Sequence, residues 1–188
     1  VKALSLDWDR KALYLANTLK EPAFTMLVSK IKVQSAKSPN EATWPYIIGT
    51  MYEQSKQYAK AIEYYETANS KDVSPVVHQR ISECHYELGD YEDALNSINQ
   101  ALNLDSTDLS FKARKANIYY EMGNVKLAIA EWDNVLAAQP EYSFGYYRRG
   151  WFKELAGDMK GAIEDLSMSI VLDPEYSYAY VSRGDIYM

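Results

Sequence analysis

The chain has 188 residues and a formal net charge of −6, from 26 acidic side chains against 20 Lys and Arg. This acidic balance argues against nonspecific binding of nucleic acid or anionic lipid, because both need a basic face on the protein. No apolar run approaches the roughly 20 residues that span a bilayer, and the opening Val1 to Leu4 is not a signal peptide. We therefore expect a soluble chain with no nucleic-acid partner and no membrane insertion.

Cysteine content leaves the cellular compartment open. Cys84 is the only cysteine, so no internal disulfide can form. A lone thiol fits a reducing cytoplasm and does not exclude a bacterial periplasm.

The first 41 residues show a weak trace of periodicity. Phe24 and Ile31 lie 34 positions before Tyr58 and Tyr65, and Pro39 stands near the expected end of a unit. We interpret residues 1–41 as a degenerate N-terminal helical repeat.

A 34-residue period is clear from residue 42 onward. Gly89, Gly123 and Gly157 are equally spaced, and an alanine follows each of them by five positions. Such a period indicates a solenoid of stacked helical units, in which each unit contacts only its neighbours. Tandem repeats are predicted at 42–74 (one residue shorter), 75–108, 109–142, 143–176 and, in part, 177–188.

Within each repeat the sequence predicts two helices joined by a glycine turn. Gly89 can end a first helix in the left-handed conformation, and the Asp90 side chain can then cap the second helix. Asn124 and Asp158 are expected to repeat that cap. Second helices are predicted over, for example, Tyr91 to Leu104 and Val125 to Ala138.

Small residues recur where the two helices of a unit are expected to cross. A larger side chain at such a crossing would overpack the contact. The residues at this position of successive repeats are Gly49, Ser82, Ala116, Gly150 and Gly184.

These residues resemble the tetratricopeptide repeat (TPR) pattern, W-x2-L-G-x2-Y followed by A-x3-F and P. The resemblance implies an all-α, right-handed superhelical solenoid of antiparallel helix pairs, an alpha-alpha superhelix. It rests on Ile48-Gly49-x2-Tyr52 with Ala61-x3-Tyr65, and on Arg149-Gly150 with Ala162-x3-Leu166 and Pro174.

The departures from the pattern lie mainly in the first helices. Lys115, Arg149 and Arg183 stand where the pattern has Leu, and Lys153 stands where it has Tyr. We expect looser packing of the first helix in the third and fourth full repeats.

The residues with reactive side chains do not form a recognisable catalytic or metal-binding pattern. His78 and His85 are seven residues apart, on one helical face, and we expect satisfied core histidines beside a buried Cys84. Adjacent carboxylates, such as Glu92 with Asp93 and Glu164 with Asp165, splay around a helix and are expected to be solvated. The sequence thus predicts no enzyme, cofactor or metal site.

The resemblance implies that a second face of the first helices lines a groove for peptides or partner helices. Trp151 stands out, because a Trp on a face that should be solvated has no obvious core role. The candidate partner-binding residues are Gln79, Glu83, Tyr86, Asn117, Tyr120, Phe144, Tyr147, Arg148, Trp151, Glu154 and Tyr178.

We therefore expect a noncatalytic protein–protein interaction module. Its ligand should carry apolar or aromatic side chains for the Tyr147 and Trp151 region, and basic groups facing Glu83, Glu87 and Glu121. Two alternatives stay open: a scaffold or regulatory segment of a larger enzyme, transport or assembly machine, and self-association through the incomplete last repeat. The abrupt ends also suggest a fragment of a longer protein.

Overall fold

The computed structural model describes residues 21–188, all of whose regular elements are helices. None of these helices is long and apolar enough to cross a bilayer. In chain order they are α1 (Glu21–Lys37), α2 (Thr43–Gln54), α3 (Tyr58–Asn69), α4 (Pro75–Leu88), α5 (Tyr91–Leu104), α6 (Leu109–Glu121), α7 (Val125–Ala138), α8 (Ser143–Leu155), α9 (Met159–Leu172) and α10 (Ser177–Ile186).

The chain divides into two compact units, Val1–Ser106 and Thr107–Met188. In unit 1, helices α1 to α5 pack each on the next, and in unit 2 helices α6 to α10 do the same. Each predicted full repeat contains one helix pair: α2–α3, α4–α5, α6–α7 and α8–α9. The division of the sequence into an N-terminal repeat, 1–41, and a tandem array, 42–188, stays a prediction.

The predicted N-terminal repeat is only partly visible, because residues 1–20 lie outside the described part of the chain. Helix α1, which begins at Glu21, packs on α2. The Phe24 side chain is buried, and its ring meets the Tyr52 ring edge-on at 5.6 Å between centroids.

The glycine turns form as predicted. Gly89, Gly123 and Gly157 have φ values of 81°, 76° and 83°, a left-handed conformation that costs glycine little. After Gly89, the Asp90 amide donates to the His85 carbonyl at 2.9 Å, which satisfies a carbonyl left over at the end of α4.

The predicted side-chain caps were wrong in two of three turns. Asp158 accepts a hydrogen bond from the Gly161 amide at 2.9 Å, but the Asp90 and Asn124 side chains make no cap bond. The backbone is nearly the same at all three sites, with φ between −94° and −84°, so the difference lies in the side chains. The Asp90 carboxylate instead lies 3.9 Å from His85 Nδ1.

The core of each unit combines small residues with large rings. Ala61, Ala94, Ala128 and Ala162 are fully buried, as their spacing predicted. Large side chains fill the space around these alanines, the largest of them being Trp132, Tyr65 and Phe152.

Three of the four basic residues that replace pattern residues in unit 2 form ion pairs, which the expectation of looser packing did not include. The fourth, Arg183, donates to Ser167 Oγ at 3.0 Å. Asp165 was predicted to be solvated, but it is 4% exposed. Arg149 donates to its two oxygens at 2.7 and 2.6 Å, and Lys153 lies 2.8 Å from one of them. One repeat earlier, Lys115 pairs with Glu131 at 2.9 Å.

Gly49 and Gly184 occupy the same repeat position but differ in the space around them. A Cβ at Gly49 would lie 2.7 Å from Tyr65 Cδ1, whereas a Cβ at Gly184 would meet nothing within 4 Å. The prediction of a close crossing is therefore wrong for Gly184.

Alanine substitutions at these two glycines should have opposite effects on stability. Gly49→Ala should lower the free energy of unfolding by about 1–3 kcal/mol, because Tyr65 is fully buried and cannot move away. Gly184→Ala, the matched control, should be neutral or stabilising by up to about 1 kcal/mol, since alanine favours a helix. Urea unfolding of both variants measures this, and equal losses would contradict the packing argument.

Candidate functional site

In unit 1, the candidate residues Gln79, Glu83 and Tyr86 lie on α4, and the Glu83 carboxylate is hydrogen-bonded within that helix. The Gln79 amide donates to Glu83 at 3.3 Å, and Arg80 also donates to Glu83 at 3.3 Å. The Tyr86 ring packs edge-on against Tyr91, 5.6 Å away. The Glu83 carboxylate thus accepts hydrogen bonds from two residues of its own helix, and its contact with a basic group of a ligand stays a prediction.

Arg80 links this face to a partly buried polar network. Its guanidinium donates to Glu53 at 3.3 Å, and the Tyr65 hydroxyl donates to the same carboxylate. Burial raises the pKa of Glu53, while the Tyr65 hydrogen bond and the Arg80 charge oppose that rise. The network ties α2, α3 and α4 together and is a structural feature of unit 1.

In unit 2, four candidate residues come together between α6 and α8. The Arg148 guanidinium donates to Asn117 Oδ1 at 2.5 Å and lies 5.1 Å from the centroid of the Trp151 ring. The Tyr120 ring packs against Trp151 at 5.1 Å. Trp151 is therefore half-buried and held from two sides, rather than lying free on a solvated face.

The rest of the aromatic residues meet between α8 and the start of α10. Tyr147 contacts Phe144 at 6.1 Å and Tyr178 at 6.4 Å between ring centroids. Phe144 is 38% and Tyr178 64% exposed, so this side of the cluster is open to solvent.

The sequence analysis missed one residue of this surface, Tyr176, and one buried residue beneath it, Phe152. Tyr176 lies 5.2 Å from Tyr147 and 5.7 Å from Tyr178, and burial together with these phenol groups raises its pKa. Phe152 is fully buried and supports Trp151 from below, at 4.9 Å. A signal for Tyr176 existed, since Pro140-Glu141-Tyr142-Ser143 recurs as Pro174-Glu175-Tyr176-Ser177.

We call the surface formed by Tyr120, Phe144, Tyr147, Trp151, Tyr176 and Tyr178 the aromatic face. Seven of the eleven candidate residues lie on it or, as with Asn117 and Arg148, directly against it. Glu154 is half-buried on the same helix, one turn beyond Trp151. Along α8, Phe144, Tyr147 and Trp151 have the i, i+3, i+7 spacing of a single helical stripe.

His78 and Cys84 are buried as expected and His85 is half-buried, but neither histidine is fully satisfied. Burial raises the pKa of the Cys84 thiol, which keeps the thiol protonated and unreactive. His78 Nε2 lies 3.2 Å from the Asn69 amide, yet the Nδ1 atoms of both His78 and His85 are buried without a hydrogen-bond partner. Residues 21–188 contain no group of three or more His, Cys, Asp or Glu that could hold a metal ion.

Comparison with known families places this geometry among the TPR proteins. Residues 113–177 match the family described as tetratricopeptide repeat. Residues 47–136 match a second family, described as the tetratricopeptide repeat protein 21 forth ARM domain. Together the two matches span residues 47–177.

Among curated relatives, the TPR repeat-containing protein YpiA of Bacillus subtilis is 27% identical over 165 aligned residues. The match covers 76% of this chain and 39% of YpiA, so the chain spans well under half the length of that relative.

Solved structures confirm the predicted fold class. A tetratricopeptide repeat protein from Parabacteroides merdae has a TM-score of 0.77 at 16% identity, covering 97% of this chain and 72% of that one. YrrB, described as a TPR protein with an unusual peptide-binding site, has a TM-score of 0.72 at 16% identity, covering 94% and 90%. With its helix pairs repeating every 34 residues and its all-α superhelical class, this chain belongs to the tetratricopeptide repeat family.

Proposed function

We propose that this chain is a noncatalytic interaction module whose aromatic face binds a segment of another protein. The observation that carries the proposal is the packing around α8, where Tyr147 and Trp151 are partly exposed but fixed by neighbouring rings. Aromatic side chains that are already ordered lose little entropy on binding, and Tyr and Trp are frequent anchors of protein interfaces. The description of YrrB as a peptide-binding TPR protein is consistent with this use of the fold.

The chemistry of the face defines the ligand that would fit it. The rings offer contact to apolar or aromatic side chains, and the Arg148 and Asn117 groups at its border offer polar contacts to a peptide backbone. A short segment held by two or three such anchors would bind near micromolar, about 8 kcal/mol. In unit 1, Gln79, Glu83 and Tyr86 remain proposed contacts for a polar part of the ligand.

Selection from a displayed peptide library tests the proposal. We expect peptides with at least one aromatic or large apolar side chain to be enriched on the wild-type chain. The same library on the Tyr147→Ala, Trp151→Ala double variant should lose that enrichment, while a double variant at exposed sites outside the face, Leu127→Ala with Val171→Ala, should keep it. Identical enrichment on the wild type and the aromatic double variant, or enrichment of acidic peptides without apolar residues, would contradict the proposal.

No contact among residues 21–188 favours the alternatives over this function. Tyr178 and Tyr180 of the last predicted repeat are 64% and 44% exposed. Self-association and a role as part of a larger enzyme or transport machine both stay predictions.

A further inference from the structure

A polar cavity in unit 1 has no role in the proposed function. It has a volume of about 560 Å³, within the range of small-molecule sites. Its floor is formed by His78, Ile81 and His85 of α4, and its rim includes Glu66 of α3 and Asp93 of α5. By the 100° step of a helix, this side of α4 lies about 130° from the side that carries Gln79, Glu83 and Tyr86.

The cavity arises from the residues that this repeat places on α4. His85 stands at a position where other repeats carry Tyr52, Tyr119 and Tyr187, and His78 at one where later repeats carry Tyr146 and Tyr180. An imidazole is shorter than a phenol ring, so histidine at both positions leaves space between α3 and α5. It also leaves the two buried Nδ1 atoms without a hydrogen-bond partner in residues 21–188.

The two ends of the cavity resemble each other chemically. His78 and His85 are two helical turns apart, about 10 Å, which is too far for both rings to bind one metal ion. Because α3 and α5 run antiparallel to α4, Glu66 lies at the His78 end and Asp93 at the His85 end. The contact between Asn69 and His78, at 3.2 Å, fixes the first of these ends. Each end therefore has an imidazole and a carboxylate in the lining, and at the second end the Asp90 carboxylate also lies 3.9 Å from His85 Nδ1.

Glu66 and Asp93 are the two acidic residues of the lining, and its other members are two histidines and uncharged side chains. Neither Glu66 nor Asp93 forms an ion pair within the described part of the chain, and no basic side chain lines the cavity. Burial lowers the pKa of His78, so this ring adds no positive charge at neutral pH. Between the two ends, Ile81 offers an apolar contact.

We propose that this cavity binds a linear polyamine, with one ammonium group at the Glu66 end, one at the Asp93 end and the methylene chain along Ile81. The two helical turns between the histidines, the two carboxylates and a lining that has both polar and apolar side chains between them match such a ligand. Spermidine in its extended form spans a similar length, and the side-chain amides of Asn96 and Gln100 in the same lining supply oxygen acceptors for its central ammonium group. Putrescine is shorter.

Isothermal titration calorimetry of the whole chain with spermidine tests the proposal at physiological ionic strength, where diffuse surface attraction is screened. We expect saturable binding of one molecule to the wild type. The Glu66→Gln, Asp93→Asn variant should weaken it about tenfold or more, because two charged hydrogen bonds are lost. The control variant Glu63→Gln, Glu92→Gln removes two exposed charges from the same helices outside the cavity and should keep the affinity.

A second pair of changes fills the cavity without altering its rim. His78→Tyr with His85→Tyr restores the rings that other repeats carry and should abolish spermidine binding. The circular dichroism spectrum shows whether this variant is folded. If it is not, the rim variant, Glu66→Gln with Asp93→Asn, tests the proposal. Putrescine and diacetylated spermidine should bind about tenfold more weakly or worse, since each loses at least one end contact.

Three results would overturn the proposal. Equal weakening by the control and rim variants would mean that spermidine binds a diffuse negative surface. Unchanged binding by a folded His78→Tyr, His85→Tyr variant would place the ligand outside the cavity. Absence of spermidine binding, with or without binding of a peptide that carries two lysines at matching spacing, would exclude a free polyamine as the occupant.

Discussion

Replacing Trp151 by alanine is expected to weaken binding of a library-selected peptide by about 2 kcal/mol or more, roughly 30-fold, while the helical content stays unchanged. The physical reason is the position of the indole. Tyr120 and Arg148 hold it at 5.1 Å each, so its exposed edge is already ordered when a partner arrives. The affinity is measured by calorimetry, with circular dichroism as the check on folding.

The control for this prediction is Val171→Ala on α9, which shortens a side chain that is 73% exposed and outside the aromatic face. Its affinity should equal that of the wild type. Tyr147→Ala should give an intermediate loss, because its ring has neighbours in Phe144, Tyr176 and Tyr178 that keep part of the surface in place. An unchanged affinity for Trp151→Ala would assign the indole a packing role and move the binding surface elsewhere.

The helices and turns could be predicted from the sequence because their signals are local and repeat with the period. The second helices at Tyr91–Leu104 and Val125–Ala138 begin and end where predicted. Gly89, Gly123 and Gly157 adopt positive φ as expected, because few other residues tolerate that conformation. Both the helix bounds and the glycine turns were predicted from the 34-residue period.

Side-chain partners across helices could not be predicted in the same way. Asp165 was expected in solvent because adjacent carboxylates such as Glu164 and Asp165 splay around a helix, yet it is buried in ion pairs with Arg149 and Lys153. The pairing depends on which face of α9 meets α8, and adjacent residues on one helix point about 100° apart. The choice between Asp90 and Asp158 as caps likewise depends on side-chain rotamers that sequence spacing does not encode.

The candidate site could be predicted from the sequence only in part. The position of Trp151 on an outward face of α8 followed from helical spacing, but its contact with Tyr120 depends on how α6 packs near α8. Tyr176 lies in a linker, where helical spacing gives no signal, and only the repeated Pro-Glu-Tyr-Ser segment pointed to it. The cavity over His78 and His85 was not predicted, because it is the space that these two short rings leave between α3 and α5.

The ion-pair cluster in unit 2 leads to the prediction with the largest effect on stability. Asp165→Ser should lower the free energy of unfolding by about 3–5 kcal/mol, because it leaves the Arg149 and Lys153 charges without the buried carboxylate that both share. The side chains of Arg149 and Lys153 are 18% and 20% exposed, so solvent replaces only part of that interaction.

The same cluster should be replaceable as a whole at little cost. In the second repeat, Ile81, His85 and Ser97 occupy the corresponding positions, and that repeat folds without a charge cluster there. The triple variant Arg149→Leu, Lys153→Tyr, Asp165→Ser should therefore recover stability to within about 1 kcal/mol of the wild type, since it leaves no buried charge unpaired. Asp133, which pairs with Arg149 at 2.8 Å, is 57% exposed and becomes solvated in this variant. Urea unfolding followed by fluorescence and by circular dichroism measures both variants and checks that the transitions coincide. If the single Asp165→Ser variant is as stable as the wild type, water already solvates the two basic groups. If the triple variant is as unstable as the single one, the ion pairs, rather than the fit of the helices, hold α8 against α9.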